Sequence, residues 1–246
     1  MAVSKLFLGM NARNYLFIRN HNTKRAKVIA DNKVLTKKAC FDKKVPTPEM
    51  LVHFKNLQSA RDFDWTTLPR KFVLKPASGY GGDGILLVRK WDGAQGEISG
   101  GVVVDQKDLE SHVFDILEGA FSLGNFPDTA FIEDLIVPHT IFKKMSWGGV
   151  PDIRVIVCNQ VPIMAMLRLP TKSSSGKANL HLGALGVGVD LRTGITTLGI
   201  QGQELVSYVP ETKIKVRGIK IPDWNQILEI AVNAQVASTL GYAGVD

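Results

Sequence analysis

Lys71-Phe72-Val73-Leu74-Lys75-Pro76, then Gly79-Tyr80-Gly81-Gly82-Asp83-Gly84, then Ile85-Leu86-Leu87-Val88: the order of these three pieces decides the fold class. The glycine run matches G-x-G-x-x-G, but a dinucleotide fingerprint needs its last glycine to open a helix. Here the last glycine opens an apolar run that reads as a strand. No Lys-Ser/Thr pair follows it either, so the phosphate-loop reading of nucleotide hydrolases also fails. Strand, glycine turn and strand make a hairpin. Glycines at its tip let backbone N–H groups approach phosphate oxygens, so the tip can fold over a nucleotide as a flap. Lys75, in the apolar strand ahead of the flap, must meet an anion or reach water, because burying it unpaired is costly. A solvated lysine beside an ordinary glycine hairpin is the plainer reading of this segment alone.

Working outward, residues 11–27 are basic and read as irregular. Asp31 is expected to cap a helix over 32–41, with Val34, Leu35 and Ala39 on one side, which Val45-Pro46-Thr47-Pro48 stops. Residues 50–54 suit a strand and 62–70 a surface connection. Leu109, Val113, Ile116 and Leu117 give 108–118 a helical period. Residues 130–137 and 152–157 read as strands, and 161–168 pairs with the latter across Asn159-Gln160. Residues 184–190 and 195–198 pair around Arg192-Thr193-Gly194. Pro222-Asp223 is expected to cap a helix over 224–239, with Gln226 in capping-box position and Gly241 beyond its end. Hairpins with separate helices indicate an α+β fold, not a repetitive βαβ array.

At 246 residues, 45% hydrophobic and 22% charged, the chain has apolar material for a substantial core. That composition excludes collagen-like, disordered and disulfide-scaffold classes. No apolar run reaches the ~18 residues of a membrane span, and the patch at 6–10 is too short for a signal-peptide core. Cys40 and Cys158 stand in no metal or redox spacing, so free thiols and a cytoplasmic location are expected. Residues 1–75 carry 16 Lys and Arg against 5 Asp and Glu, a balance of +11, and the remainder is at −4. Such a basic lead suggests an anionic partner. Nucleic acid is not favoured, because only Tyr15 and Phe17 lie among the basic residues where a stacking platform needs several aromatics.

Alternation puts Asp152 and Arg154 on one face of their strand, suited to a ligand-lined groove. The alternative is a surface ion pair worth ~0–1 kcal/mol. Glu133-Asp134 ends an apolar run and can present backbone groups to a base and carboxylates to a ribose. Residues 173–181 form a polar loop carrying Lys177, Asn179 and His181, all able to contact phosphate. Asp190 and Asp246 each end an apolar, glycine-containing stretch, and one carboxylate alone makes a poor magnesium site.

Several pieces recur together in one known order. They are Asp31-Asn32-Lys33; Phe72-Val73-Leu74-Lys75-Pro76 with the 79–84 turn; Phe131-Ile132-Glu133-Asp134; Pro151-Asp152-Ile153-Arg154-Val155; Leu167-Arg168-Leu169-Pro170; Gly176-Lys177-Ala178-Asn179-Leu180-His181; and Gly241-Tyr242-Ala243-Gly244-Val245-Asp246. Each motif is weak, but the ordered set resembles the ATP-grasp superfamily. Within it, the set is similar to the alpha-L-glutamate ligases that modify a ribosomal protein. The resemblance implies an α+β ATP-grasp fold, two α+β subdomains gripping ATP between them. It divides the chain into a basic lead (1–30), a region with the lid subdomain and flap (31–135) and a C-terminal subdomain (136–246).

The resemblance also implies roles. Lys33 and Lys75 would contact ATP phosphates beneath a flap containing Gly79, Gly81, Gly82 and Gly84. Glu133, Asp134 and Leu135 would line the adenine and ribose pocket, with Asp152 near the ribose. Arg154, Arg168, Lys177 and Asn179 would face the transferred phosphate and the acyl substrate, and Asp246 would be the first Mg²⁺ carboxylate. In the family's reaction a carboxylate takes the γ-phosphate of ATP, and an amine then displaces phosphate from the acyl phosphate. The amine is an amino acid or peptide, glutamate being the family's suggestion. Phosphoryl transfer needs positioning and charge neutralisation more than a protein nucleophile. In the family a strand carrying Glu-x-Asn follows the metal aspartate and completes the magnesium site, and this sequence ends at Asp246. The expectation is therefore a core lacking its last strand or strands, with weak or no ligase activity and residual nucleotide binding. A phosphotransferase acting on a hydroxyl, or a non-catalytic nucleotide- or anion-binding protein, are the alternatives.

Overall fold

The apolar run inside Lys71–Pro76, buried at Phe72, Val73 and Leu74, builds one of two sheets seen in a computed structural model of the chain. The structure describes residues 9–79, 81–98 and 100–246; Tyr80 of the flap and residues 1–8, including most of the 6–10 patch, lie outside the described residues. Contacts divide the chain into two compact units.

One unit comprises Asp31–Val34 and Thr47–Val137. Its strands are β1 (Met50–Phe54), β2 (Lys71–Pro76), β3 (Leu86–Arg89), β4 (Gln95–Glu97), β5 (Val103–Asp105) and β6 (Ala130–Asp134). They form an antiparallel sheet in the order β1-β6-β2-β3-β4-β5. The hairpin expected around the glycine turn is the β2–β3 pair, with Leu74 opposite Leu86. Helix Gln106–Leu117 starts at a capping box of Asp105 and Asp108 and buries Leu109, Val113 and Ile116. The expected surface connection at 62–70 instead feeds the core: Trp65 and Leu68 are buried, and the Trp65 ring stacks on Phe54 at 5.6 Å. A large aromatic can bury its face while its indole N–H finds a carbonyl, here that of Ala60 at 3.1 Å.

The other unit comprises the chain up to Ala30, Leu35–Pro46 and Pro138–Asp246. Its strands are β7 (Asp152–Cys158), β8 (Val161–Leu169), β9 (Leu185–Val189), β10 (Thr196–Gln201), β11 (Glu204–Val206) and β12 (Tyr242–Val245), in the order β11-β10-β9-β8-β7-β12. Helix Trp224–Ser238 packs Trp224 and Ala231 into the core made by Val155, Leu167 and Val187. The two-residue turn between β7 and β8 forms as expected, Asn159 and Gln160 both having positive φ. The contacts do not divide the chain at 30 and 135: Leu35–Pro46 groups with the later strands because Cys40 and Val45 pack with Ala237.

Three local expectations are corrected. Residues 11–27 are largely helical, with a π turn at Arg13–Ile18 and an α-helix at Lys24–Asp31. Lysine and arginine are good helix formers, and no proline or glycine interrupts the stretch. Asp31, expected to cap the helix over 32–41, is instead the last residue of Lys24–Asp31, and Asn32 separates it from the helix Lys33–Asp42. Asp223 makes no capping box: it is left-handed without a side-chain cap, and the start of its helix is fixed by the Trp224 indole N–H donating to Leu191 O at 2.7 Å. Likewise Thr239, not Gly241, takes the left-handed position at the other end.

Candidate functional site

In the unit built on β1–β6, Lys75 lies next to the end of β2, opposite Phe131 of β6. Its ammonium pairs with the buried Glu133 carboxylate and sits 5.3 Å from the centre of the Phe131 ring. Lys33 opens helix Lys33–Asp42. Its N–H donates to Ala77 O at 2.8 Å, and its ammonium donates to Gly79 O at 2.9 Å. Both expected lysines therefore stand at the foot of the glycine hairpin. Burial holds the Lys33 pKa below the usual lysine value; the nearby Lys75 charge lowers it further, against Asp128 and Glu133, which raise it. The two ammonium groups lie close enough to repel each other, and the carboxylates of Glu133 and Asp128 offset that repulsion.

The flap itself has Gly81 and Gly82 at consecutive positive φ with open space around their α-carbons. This is a backbone path that glycine alone follows cheaply. Its far side is fastened by the His112 ring nitrogen, 2.9 Å from Gly84 O. Asp128, which the sequence reading passed over, accepts from the Ser78 N–H at 2.7 Å and so fixes the strand's exit. Asp134 is exposed, Leu135 half-buried, and the Asp134 N–H donates to Glu49 O at 3.0 Å.

In the unit built on β7–β12, Asp152 and Arg154 of β7, Arg168 of β8 and Asp246 after β12 come together. Arg168 forks onto Asp152 through Nε and Nη2 at 2.6 and 2.7 Å, and its Nη2 also lies 2.9 Å from Asp246. Arg154 pairs with Asp246. A shift of register between Ile156 and Val157 makes this possible. Counted straight from the Asn159-Gln160 turn, Leu167 would face Asp152 and Arg168 would point into the core. The extra residue on β8 puts Arg168 opposite Asp152 instead. Burial raises the Asp152 pKa, with Asp246 adding to the rise and the Arg168 hydrogen bonds opposing it.

Lys177 and Asn179 lie on the loop after β8. Asn179 Oδ1 accepts from the His181 N–H at 3.0 Å and caps the short turn Leu180–Leu182. The loop is anchored by buried Thr171 and Ser174, and a Cβ on Gly149 would stand 1.7 Å from Gly176 O. Only glycine permits that approach of two backbones. The Trp147-Gly148-Gly149 segment was not singled out from the sequence, although paired glycines beside an aromatic were its available signal.

Any Mg²⁺ held here would combine one or two of these carboxylates with nucleotide phosphates. Among the described residues no three His, Cys, Asp or Glu side chains gather as a ligand set. Asp246, the expected metal carboxylate, is held by two guanidinium groups.

The sequence model of the family described as sugar-transfer associated ATP-grasp matches residues 12–246. The chain belongs to this ATP-grasp family. Its expected α+β ATP-grasp fold is thus established. Similar solved structures of other ATP-grasp proteins include the ATP-grasp ligase PsnB complexed with a minimal precursor (14% identity, 91% of this chain and 49% of that one, TM-score 0.43). Others are D-alanine–D-alanine ligase from Bacillus anthracis (14%, 90% and 53%, 0.43) and VanG D-Ala:D-Ser ligase from Enterococcus faecalis (14%, 90% and 49%, 0.46). The ATP-grasp chain spans about half the length of these solved structures. No curated protein matches it.

Proposed function

We propose that this chain is the nucleotide-binding part of an ATP-dependent carboxylate–amine ligase whose carboxylate is carried on a sugar. The observation that carries the reading is the placement of Lys33 and Lys75 together at the foot of a glycine hairpin. In this reading the two ammonium groups bind ATP phosphates, with residues 79–84 above them, and residues 133–135 line the base and ribose. Asp152 orients Arg168, and Arg154 and Arg168 hold the carboxylate and the phosphoryl group passing to it. A carboxylate oxygen attacks the γ-phosphorus, ADP leaves, and the amine then displaces phosphate from the acyl phosphate. Lys177 and Asn179 face that acyl group. The family's association with sugar transfer supports a sugar-borne carboxylate; glutamate as the amine follows from the glutamate-ligase resemblance.

Isothermal titration with ATP, followed by ADP release in the presence of a hexuronate and amino acids, tests this. The expected result is saturable ATP binding and ADP release that needs both co-substrates. ATP binding that is absent refutes the reading, and a stable phosphate ester formed on a sugar hydroxyl without any amine converts it to phosphotransfer.

Lys33 adds a pH signature. Its lowered pKa means that the ammonium is lost at a lower pH than in an ordinary lysine. ATP affinity should therefore fall as pH rises through that value, while Lys33→Arg, which stays charged, keeps the alkaline limb flat. Equal profiles for the two proteins would remove Lys33 from the phosphate site.

A further inference from the structure

Of the four tryptophans, Trp65, Trp91 and Trp224 are 1–4% exposed, and each donates its indole N–H to a carbonyl. Trp147 is 41% exposed, and among the described residues its indole N–H has no hydrogen-bond acceptor. Single exposed apolar side chains are common and need no explanation. What sets Trp147 apart is how firmly its backbone is held and where. The Trp147 N–H donates to Pro170 O at 3.0 Å, two residues beyond Arg168. Two residues on, Gly149 lies directly against Gly176, which precedes Lys177. Five residues after Trp147 comes Asp152, the carboxylate that Arg168 grips. The backbone that carries the indole is therefore held beside the end of the two strands that bear the arginine pair, so ordering that segment adds little to the cost of binding a ligand.

A wide apolar face with one N–H at its edge complements a pyranose, whose axial C–H groups make an apolar face rimmed by hydroxyls. Guanidinium forks complement a carboxylate. We propose that Trp147 is the stacking platform for the sugar ring of a hexuronate-bearing saccharide, whose carboxylate takes the place of Asp246 on Arg154 and Arg168. This rests on the ligase reading for its substrate class, and adds to it a subsite and a specificity-determining residue.

The test uses the full chain and acrylamide quenching of tryptophan fluorescence. With the other three tryptophans buried, the quenchable signal belongs to Trp147. Oligogalacturonate and a glucuronate disaccharide are the probes, with maltotriose and phenylalanine amide as controls. A uronate probe should shield Trp147 in a saturable way, with maltotriose and phenylalanine amide much weaker. By isothermal titration, Trp147→Ala should bind the same uronate about tenfold more weakly, a loss of ~1.4 kcal/mol, and Trp147→Tyr should recover most of that affinity. ATP affinity should be unchanged in both variants. Silence from both uronates, equal protection by maltotriose or phenylalanine amide, or full affinity in Trp147→Ala each overturns the proposal. ATP binding without uronate protection sinks the platform and leaves the ligase reading standing; uronate protection without ATP binding does the reverse.

Discussion

Lys75→Ala should lower the unfolding free energy by about 3 kcal/mol and weaken ATP binding at least about tenfold. The two effects have separate origins. Glu133 is almost fully buried, with a side chain only 4% exposed, and Lys75 supplies its counter-charge. Removing one partner of a buried pair leaves an uncompensated charge, which costs about 3–5 kcal/mol; the 18% exposure of Lys75 places this case at the lower end. The lost contact with the Phe131 ring adds a smaller amount, about 0.5–1 kcal/mol. Weaker ATP binding follows from loss of a charge-assisted phosphate contact, worth about 1.5–3 kcal/mol. A second variant separates them: Lys75→Met with Glu133→Leu removes the pair as a whole, so much of the lost stability should return while ATP affinity stays low. Urea unfolding and isothermal titration read the two quantities. A single variant as stable as the parent would mean that Glu133 is solvated, and normal ATP affinity in both variants would take Lys75 out of the phosphate site.

Much of this geometry is written in short-range patterns. Short apolar runs and glycine punctuation place the β2–β3 hairpin, and Asn159-Gln160 places the turn between β7 and β8, because both signals act within a few residues. Three-residue strands such as Gln95–Glu97 carry too little periodicity to show. The helical character of 10–21 is hidden because no residue there is buried and Tyr15-Leu16-Phe17-Ile18 is a continuous apolar run without helical spacing. Trp65 looked like part of a polar link because burial of one aromatic depends on Phe54 and Phe63, whose positions are tertiary facts. The site shows the same split. Lys33, Lys75, Glu133, Asp152 and Arg168 could be chosen by residue type and resemblance, but not their pairings. Glu133 stands opposite Val73 in register and reaches Lys75 on the diagonal, and Arg168 reaches Asp152 only through one extra residue in β8. Register is set by packing over the whole sheet, and a single-residue slip changes which side chains meet.

Arg168→Ala should be the most damaging change in the arginine cluster, costing about 2–3 kcal/mol at neutral pH, less than a fully buried pair because Asp152 is 27% exposed. Arg168 holds Asp152 through two short hydrogen bonds and also touches Asp246, so one truncation removes three contacts. The loss should depend on pH in a definite direction. In the intact protein burial already raises the Asp152 pKa above its ordinary value, so this group favours the fold on the acid side and that contribution disappears as pH rises through the raised value. The Arg168 bonds oppose the rise, and deleting them raises the pKa further. The stability gap between parent and Arg168→Ala should therefore be widest at neutral pH and should narrow as acidification protonates Asp152. In Asp152→Asn, where nothing titrates at this position, the further loss on removing Arg168 should narrow much less with acidification, since only its contact with Asp246 is left. Urea unfolding of the four proteins across the acidic range decides it. A gap that does not change with pH would show that Arg168 supports the sheet by packing its stem and not by holding the carboxylate charged. That outcome would also weaken the case for Arg168 as the group that receives a substrate carboxylate, since a guanidinium that does not stabilise the carboxylate beside it has little to offer one arriving from solution.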